Sequence, residues 1–327
     1  MAEELEEYRD EDLPGLAAAW NSCFRGGPNF VAVDEMDLRL RVLDQPAFQG
    51  SGLLVARSCG RVGGFVHFGP RLNSWQESER GPRGERGRAG LDPREGHIYA
   101  LVAPESERSL NDELLAAAES RLVAAGARRV LLGPSWVYGV QPFYNGIAGG
   151  YEIPGLSVRR ESLVALAEAR GYRQVAEYGT PELDLSVDAP LDQLADMTRE
   201  LRARASQWGL RTASRQLELR YFPRRLSVEL VHGRQIVATT AYGVWTEYAR
   251  QYRRQLYGLT SVQVAVEWRG RGLGKLIVIE AMEAARRDGA EGVHLHVWRS
   301  NEAAWNLYHR ALGFGPRHTW TTMEKRV

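Results

Sequence analysis

Along the C-terminal part of the chain the apolar positions change period several times. Leu226-Ser227-Val228-Glu229-Leu230, a turn at His232-Gly233-Arg234, and Gln235-Ile236-Val237-Ala238-Thr239 predict two strands joined by a tight turn. Gln263-Val264-Ala265-Val266 predicts a further strand. Leu276, Ile279 and Met282 then recur at helical spacing, with Glu280, Glu283 and Arg287 on a second stripe. That pattern predicts a helix from near Gly272 to Asp288-Gly289. Alternation returns from Gly292 to Asn301, which reads as a strand carrying His294, His296 and Trp298 on one face.

The N-terminal half repeats this order of elements. Tyr8 to Pro14 reads as a first strand leading into a helix through Trp20. Leu53–Arg57 and Val62–Val66 read as two strands joined at Cys59-Gly60-Arg61. His97–Pro104 corresponds to the strand at Gln263–Val266. The stretch Leu163–Tyr172 ends in Ala169-Arg170-Gly171-Tyr172, an echo of Ala311-Leu312-Gly313-Phe314. Glu177–Val187 would close that half. Two segments break the repeat. Gln76–Gly96, rich in Glu, Arg and Gly, reads as a solvated loop. Pro134–Leu156 holds Trp136, Tyr138, Phe143, Tyr144 and Tyr151 among glycines, and either walls a binding site or covers its own core.

Candidate chemistry concentrates at Arg269-Gly270-Arg271-Gly272-Leu273-Gly274-Lys275, a basic glycine-rich turn between strand and helix. Amides of a first helical turn lack internal partners and the macrodipole adds positive charge there. Glycine lets a phosphate reach the main chain, so the turn reads as an anion site. Two nucleotide motifs fail. The P-loop needs Ser or Thr after its lysine, and Lys275 precedes Leu276. The dinucleotide fingerprint needs its third glycine one position later than Gly274. The pattern R-x-x-G-x-G is filled by Arg269, Gly272 and Gly274.

With that motif the sequence resembles the GCN5-related N-acetyltransferase (GNAT) superfamily, and Asn301–Phe314 is similar to its N-x-x-A…L-Y-x-x-x-G-F signature. The likeness runs from about Leu226 to Val327. It implies an α/β protein of two tandem acyl-CoA N-acyltransferase domains, each a mixed, mostly antiparallel sheet flanked by helices. Residues 1–187 would form a degenerate domain that does not bind coenzyme A, and 188–327 a catalytic one. The pairing resembles tandem acetyltransferases of the mycothiol synthase type, in which one half carries the chemistry. An overlay of Val264 on Leu101 sets Ser106, Ser109 and Asn111 against Arg269, Gly272 and Gly274, and Asp112 against Lys275. Leu166 takes the place of Tyr308.

The resemblance implies acetyl-CoA as cosubstrate and an N-acetyltransferase acting on a primary amine by direct attack in a ternary complex. Its diphosphate would lie on residues 269–275, its pantetheine arm along Val264, Ala265 and Val266, with Asn301 and Asn306 bonding the coenzyme. Asn301 reads equally as a plain helix N-cap. Tyr308 would protonate the departing sulfur. His296 is the candidate base, since an unperturbed imidazole titrates at about 6.5; a packed strand histidine is the alternative. Glu247 and Glu229 are rival bases, Glu229 reading as a strand-surface charge and Glu247 as a partner of Arg250–Arg254. A thiol leaving group of pKa about 8.5 needs no metal. A non-catalytic acyl-CoA sensor or scaffold, and a protein N-terminal or lysine acetyltransferase, stand as alternatives.

Composition narrows the setting. The 327 residues are 44% hydrophobic and 25% charged, with net charge +1, an ordinary globular balance without global attraction to nucleic acid or membrane. Cys23 and Cys59 make no disulfide or metal framework and read as buried free thiols in a reducing compartment. The acidic start Met1–Glu7 lacks the apolar core of a signal peptide, and no apolar run spans a bilayer. The expectation is a cytoplasmic protein, monomeric as a pseudo-dimer or weakly homodimeric, that meets a small-molecule amine or peptide acceptor.

Overall fold

The computed structural model describes residues 4–58, 60–72, 91–135, 138, 142–152, 155–186, 189–217 and 225–327. Trp136 and Cys59 lie outside them. The described chain forms two compact units: residues 1–177 with 319–327, and residues 178–318. The junction expected at 187/188 thus falls inside the second unit, and the last residues of the chain belong to the first.

Unit 1 is a sheet with apolar layers on both faces. Its strands are β1 (Glu4–Glu7), β2 (Leu53–Ser58), β3 (Arg61–Leu72), β4 (Leu91–Val102) and β5 (Arg129–Leu132). They pair in that order, antiparallel except for the parallel β4–β5 contact. Residues 323–326 of the last strand pair antiparallel with β5, and residues 320–321 with the two-residue β6 (Leu156–Ser157). Strand alternation feeds two cores. Leu54, Ala56 and Ile98 pack with α2 (Arg108–Ala124) and α3 (Glu161–Ala169), whereas Leu53, Val55 and Tyr99 pack with α1 (Leu13–Phe24). Phe143 and Tyr144 belong to the second of these cores.

Two local expectations are corrected here. The first strand is Glu4–Glu7, not Tyr8–Pro14; Arg57 on β2 bonds Glu6, so a charged stretch is held at the sheet edge. Residues 91–96, expected in a loop, extend β4. Residues 76–90 of that loop lie outside the described residues.

Unit 2 has the strands β7 (Arg173–Asp184, from Tyr178 on), β8 (Leu210–Leu217), β9 (Arg225–His232), β10 (Gln235–Val244), β11 (Leu256–Val264), β12 (Gly292–His294) and β13 (Val297–Trp298). The order is β8-β9-β10-β11-β12-β7, antiparallel except for β11–β12, with β13 also on β7. The strand expected over Gly292–Asn301 is therefore two short pieces broken at Leu295-His296. One face carries the apolar core: Val228, Leu230, Val293 and Leu295 pack on α6 (Leu273–Arg287) with Leu201 and Ala205 of α4 (Ala195–Gln207). The two helices are pinned by Arg202 to Glu280 (2.6 Å) and Glu283 (2.5 Å).

The other face is polar, and it is buried. Register sets Ser227 beside Ala241 and Thr260, Glu229 beside Thr239, and His294 beside Gly258 and Glu182. Ser227, Glu229, Thr260, His294, Thr180 and Glu182 are all under a tenth exposed. Among the described residues, no helix is long and apolar enough to cross a membrane.

Candidate active site

The site starts from a gap in the sheet. β11 and β12 share three rungs, the last pairing Gly258 with His294, and β12 ends there. Beyond Gly258, β11 is paired only with β10 among the described residues. A bulge re-aims this free stretch. Thr260 faces Ala241 and Gln263 faces Thr239, so Ser261 and Val262 oppose Thr240 alone, and Ser261 adopts φ +56°. The Ala265 N–H donates to the Val237 carbonyl at 2.8 Å. Alternation along an antiparallel strand then turns the amides of Val262 and Val264 away from β10, toward the gap.

That assignment changes the expected pantetheine edge. Val264 stays on it. Ala265 spends its amide on β10, and Val266 leaves the strand for a 3-10 turn over Val266–Trp268, where it is 72% exposed. Val262 instead joins Val264 in turning its amide to the gap. The sequence held no sign of it, because the bulge depends on the register of two strands.

The glycine turn follows. Gly270 and Gly272 have φ of +74° and +81°, which favour glycine. Gly272 is also confined: a Cβ there would stand 2.6 Å from Leu201 Cδ2. Gly274 has room, its Cβ position lying 3.8 Å from Leu307 and 3.9 Å from Val264. It is thus flanked by the free strand and by the helix that carries Tyr308. Leu273 and Gly274 open α6 behind Gly272, whose carbonyl accepts the amides of Lys275 (3.0 Å) and Leu276 (3.1 Å). No side chain caps this helix. The amides of Leu273 and Gly274 precede the first helical bond and are turned outward.

Two of the three cations brace the turn. Arg269 Nε donates to the Val264 carbonyl at 3.1 Å. Arg271 donates to the Glu267 carbonyl at 3.4 Å and stacks over Trp268 (4.8 Å) and Trp208 (5.5 Å). Lys275 is half-buried in the first turn of α6.

The expected catalytic residues divide. Asn301 caps α7 (Glu302–Asn306), accepting the Ala304 amide at 3.2 Å, so the N-cap reading describes it; Asn306 is exposed. The next turn, Leu307–Ala311, is a π-helix that buries Tyr308 edge-on to Phe314 at 5.7 Å. Burial pushes the Tyr308 hydroxyl above its ordinary pKa, which suits a proton donor.

His296 hydrogen-bonds Thr180 Oγ1 through Nδ1 at 2.8 Å. His294 lies edge-on to it at 5.6 Å and stacks on Trp245 at 4.9 Å. Neither ring nitrogen of His294 has a hydrogen-bond partner among the described residues. Burial, aided by His296 and His318, holds its pKa well below the usual value, so it is a neutral imidazole. Glu247, in the first turn of α5 (Thr246–Tyr252), is buried. Glu229 is buried too, so its reading as a surface charge is corrected. It accepts a bond from Ser227 Oγ at 3.2 Å.

Unit 1 departs from the overlay drawn on the sequence. Its turn after β4 is five residues, 103–107, against eight from Ala265 to Gly272. Glu107, not Ser109, precedes the helix, and Ser109 and Asn111 lie within α2. Asp112 is paired with Arg170 at 2.8 Å.

The parted sheet, the glycine turn and the uncapped helix thus follow one another along residues 256–287. Residues 194–314 match the family model described as the acetyltransferase (GNAT) family. Solved structures extend the likeness in fold to the whole chain. A tandem GNAT protein from the clavulanic acid biosynthesis pathway is 17% identical, with a TM-score of 0.63 over 99% of this chain and 98% of that one. A GCN5-related N-acetyltransferase from Sphaerobacter thermophilus is 16% identical, with a TM-score of 0.59 over 99% and 95%. A GCN5-related glucosamine N-acetyltransferase region of a fungal multi-domain GH3 beta-N-acetylglucosaminidase is 16% identical, with a TM-score of 0.69 over 99% of this chain. This chain spans only 38% of the fungal protein. No curated protein matches the chain. The fold is that of tandem GNAT proteins, and the family is one of acetyltransferases that generally use acetyl-CoA. Among the described residues there is no group of three or more His, Cys, Asp or Glu that could hold a metal ion.

Proposed function

We propose that the second unit transfers an acetyl group from acetyl-CoA directly to a primary amine held in the same complex. The observation that carries this is the free edge of β11, which runs from Gly258 past Val262 and Val264 into a turn whose helix amides are uncapped. The pantetheine arm would pair with that edge as a peptide adds to a sheet. The diphosphate would rest on the amides of Leu273 and Gly274. An edge amide would bond the thioester oxygen as it gains charge.

The amine nitrogen attacks the carbonyl carbon, the C–N bond forms and the C–S bond breaks. The nitrogen's proton passes to His296, and the thiolate takes one from Tyr308. Val262 and Val264 position the thioester; Arg269 and Arg271 hold the turn that grips the diphosphate.

The polar face of the sheet supports a hydrophilic, cationic acceptor. Ser227, Thr239 and Thr260 offer hydroxyls, and Glu229 and Glu247 offer carboxylates within the same unit.

The test is thiol release from acetyl-CoA by the full-length protein over amino sugars, polyamines, amino acids and peptides. Amine-dependent release supports transfer. Acetyl-CoA uptake without release from any amine favours a sensor. Absence of uptake ends both readings.

A further inference from the structure

Unit 1 encloses a cavity of about 420 Å³ that acetyl transfer in unit 2 leaves unused. It opens where β4 and β5 part. Their ladder runs from Glu95–Arg129 to Ile98–Leu132 and stops, and Gly133 turns away with φ +62°. The wall is mainly aromatic and aliphatic. Trp20 and Tyr144 stack at 5.1 Å with planes 4° apart, and Phe24, Ile147, Leu163 and Trp320 continue the lining.

A thioester has no edge to pair with here. Arg160, 7% exposed, donates to the Leu101 carbonyl at 2.7 Å and the Ala103 carbonyl at 3.2 Å. Its guanidinium therefore occupies two successive outward carbonyls of this strand edge. A diphosphate has no seat either. The turn after β4 carries Glu105 and Glu107 and no glycine. Asn111 Nδ2 closes it by donating to the carbonyls of Pro104 (2.8 Å) and Glu107 (2.9 Å).

The charges at the rim select what does fit. Arg25 and Arg159 line the cavity, are exposed, and make no side-chain hydrogen bond or ion pair among the described residues. Among the described residues the one lining carboxylate, Glu105, lies 3.5 Å from Arg160 Nε and is already matched. An apolar interior beneath two unmatched guanidinium groups recognises an amphipathic anion. Planar arginine forks favour a carboxylate, and the volume falls in the range of about 300–1,000 Å³ common for small-molecule sites. We infer that the unit 1 cavity binds a carboxylate with an apolar tail, separately from the acetyl donor. This inference stands without the transfer reading.

Calorimetry of the full chain with straight-chain carboxylates from butanoate to dodecanoate, and n-alkylamines of the same lengths, tests it. The expected result is saturable binding with one ligand per chain, tightening with length until the cavity is filled. Amines of equal length should bind at least about tenfold more weakly. The double variant Arg25→Ala/Arg159→Ala should lose about tenfold or more in carboxylate affinity, as expected for lost charged hydrogen bonds. Ala148→Trp, in the lining, should abolish binding while acetyl-CoA uptake by unit 2 is unchanged. The inference fails if no carboxylate binds, if amines bind equally well, if acetyl-CoA displaces the carboxylate, or if the rim variant keeps full affinity. Should Ala148→Trp unfold, the rim variant decides alone, because its two residues are exposed.

Discussion

Gly258 and His294 form the last rung between β11 and β12. One residue of that rung has no side chain; the other is an imidazole with both nitrogens free of hydrogen bonds among the described residues. Past it, β11 continues through a bulge and β12 stops. A sheet that parts at a glycine opens a slot without removing core side chains, which continue to pack on α6.

The two inner glycines of the turn should respond differently to a methyl group. Gly272→Ala adds a Cβ at φ +81°, 2.6 Å from Leu201 Cδ2. It should cost about 1–2 kcal/mol of stability from the backbone alone, and weaken acetyl-CoA binding more than about tenfold. Gly274→Ala meets only ordinary contacts. Its stability should rise slightly or stay level, while affinity falls because the methyl group lies where a phosphate would approach. Thermal melts and calorimetry on both variants separate fold from binding.

Arg271 bonds the Glu267 carbonyl and stacks on Trp268, both beside it in the turn, and on Trp208 at the end of α4. Arg271→Ala should raise the KM for acetyl-CoA about three- to tenfold and leave kcat near wild type, the signature of lost uniform binding. A fall in kcat at unchanged KM would place Arg271 in the chemistry instead.

Tyr308→Phe keeps the contact with Phe314 and removes only the hydroxyl. It should lower kcat by about 10²-fold or more, within the usual range for a general acid, with little change in KM for acetyl-CoA. Because burial raises its pKa, the wild-type tyrosine stays protonated through pH 9, so Tyr308 should give no alkaline fall in rate below that value. His296→Ala should lower kcat by about 10²-fold or more, the usual loss for a general base, with little change in KM for acetyl-CoA. Thr180→Val, which removes the bond to His296 Nδ1, should lower kcat by less than His296→Ala does.

The strands and the glycine turn were legible because each rests on local chemistry. Alternation marked β9 and β10, and glycine spacing marked the entry to α6. What escaped needed a second strand. Val262 faces the gap only because Ser261 bulges against Thr240. Glu229 looked like a surface charge because a glutamate between two apolar residues usually points to water, yet this strand is buried on its polar face too. In unit 1 the overlay assumed turns of equal length, and three fewer residues moved Ser109 into the helix. Glu4–Glu7 was missed because an acidic run gives no apolar period; Arg57 holds it in place.

Stability should fall in mild acid. His67, His97 and His294 are buried and their folded pKa values are lowered by burial, His67 to about 3. The unfolded chain binds protons near pH 6.5 and the folded one does not, so stability is full above that pH. It should decline as pH drops below it, by up to about 1.4 kcal/mol per pH unit for each histidine. Melting curves between pH 8 and 5 measure the slope. His67→Gln should flatten it, and an unchanged slope would show that this histidine gains its proton without unfolding.

The account rests on where acetyl-CoA lies. A crystal structure with the cosubstrate bound measures this directly. The predicted density has the diphosphate on the amides of Leu273 and Gly274 and the pantetheine arm along Val262 and Val264. Density in unit 1 beside Leu101 and Ala103, or a diphosphate held away from residues 270–275, would contradict it.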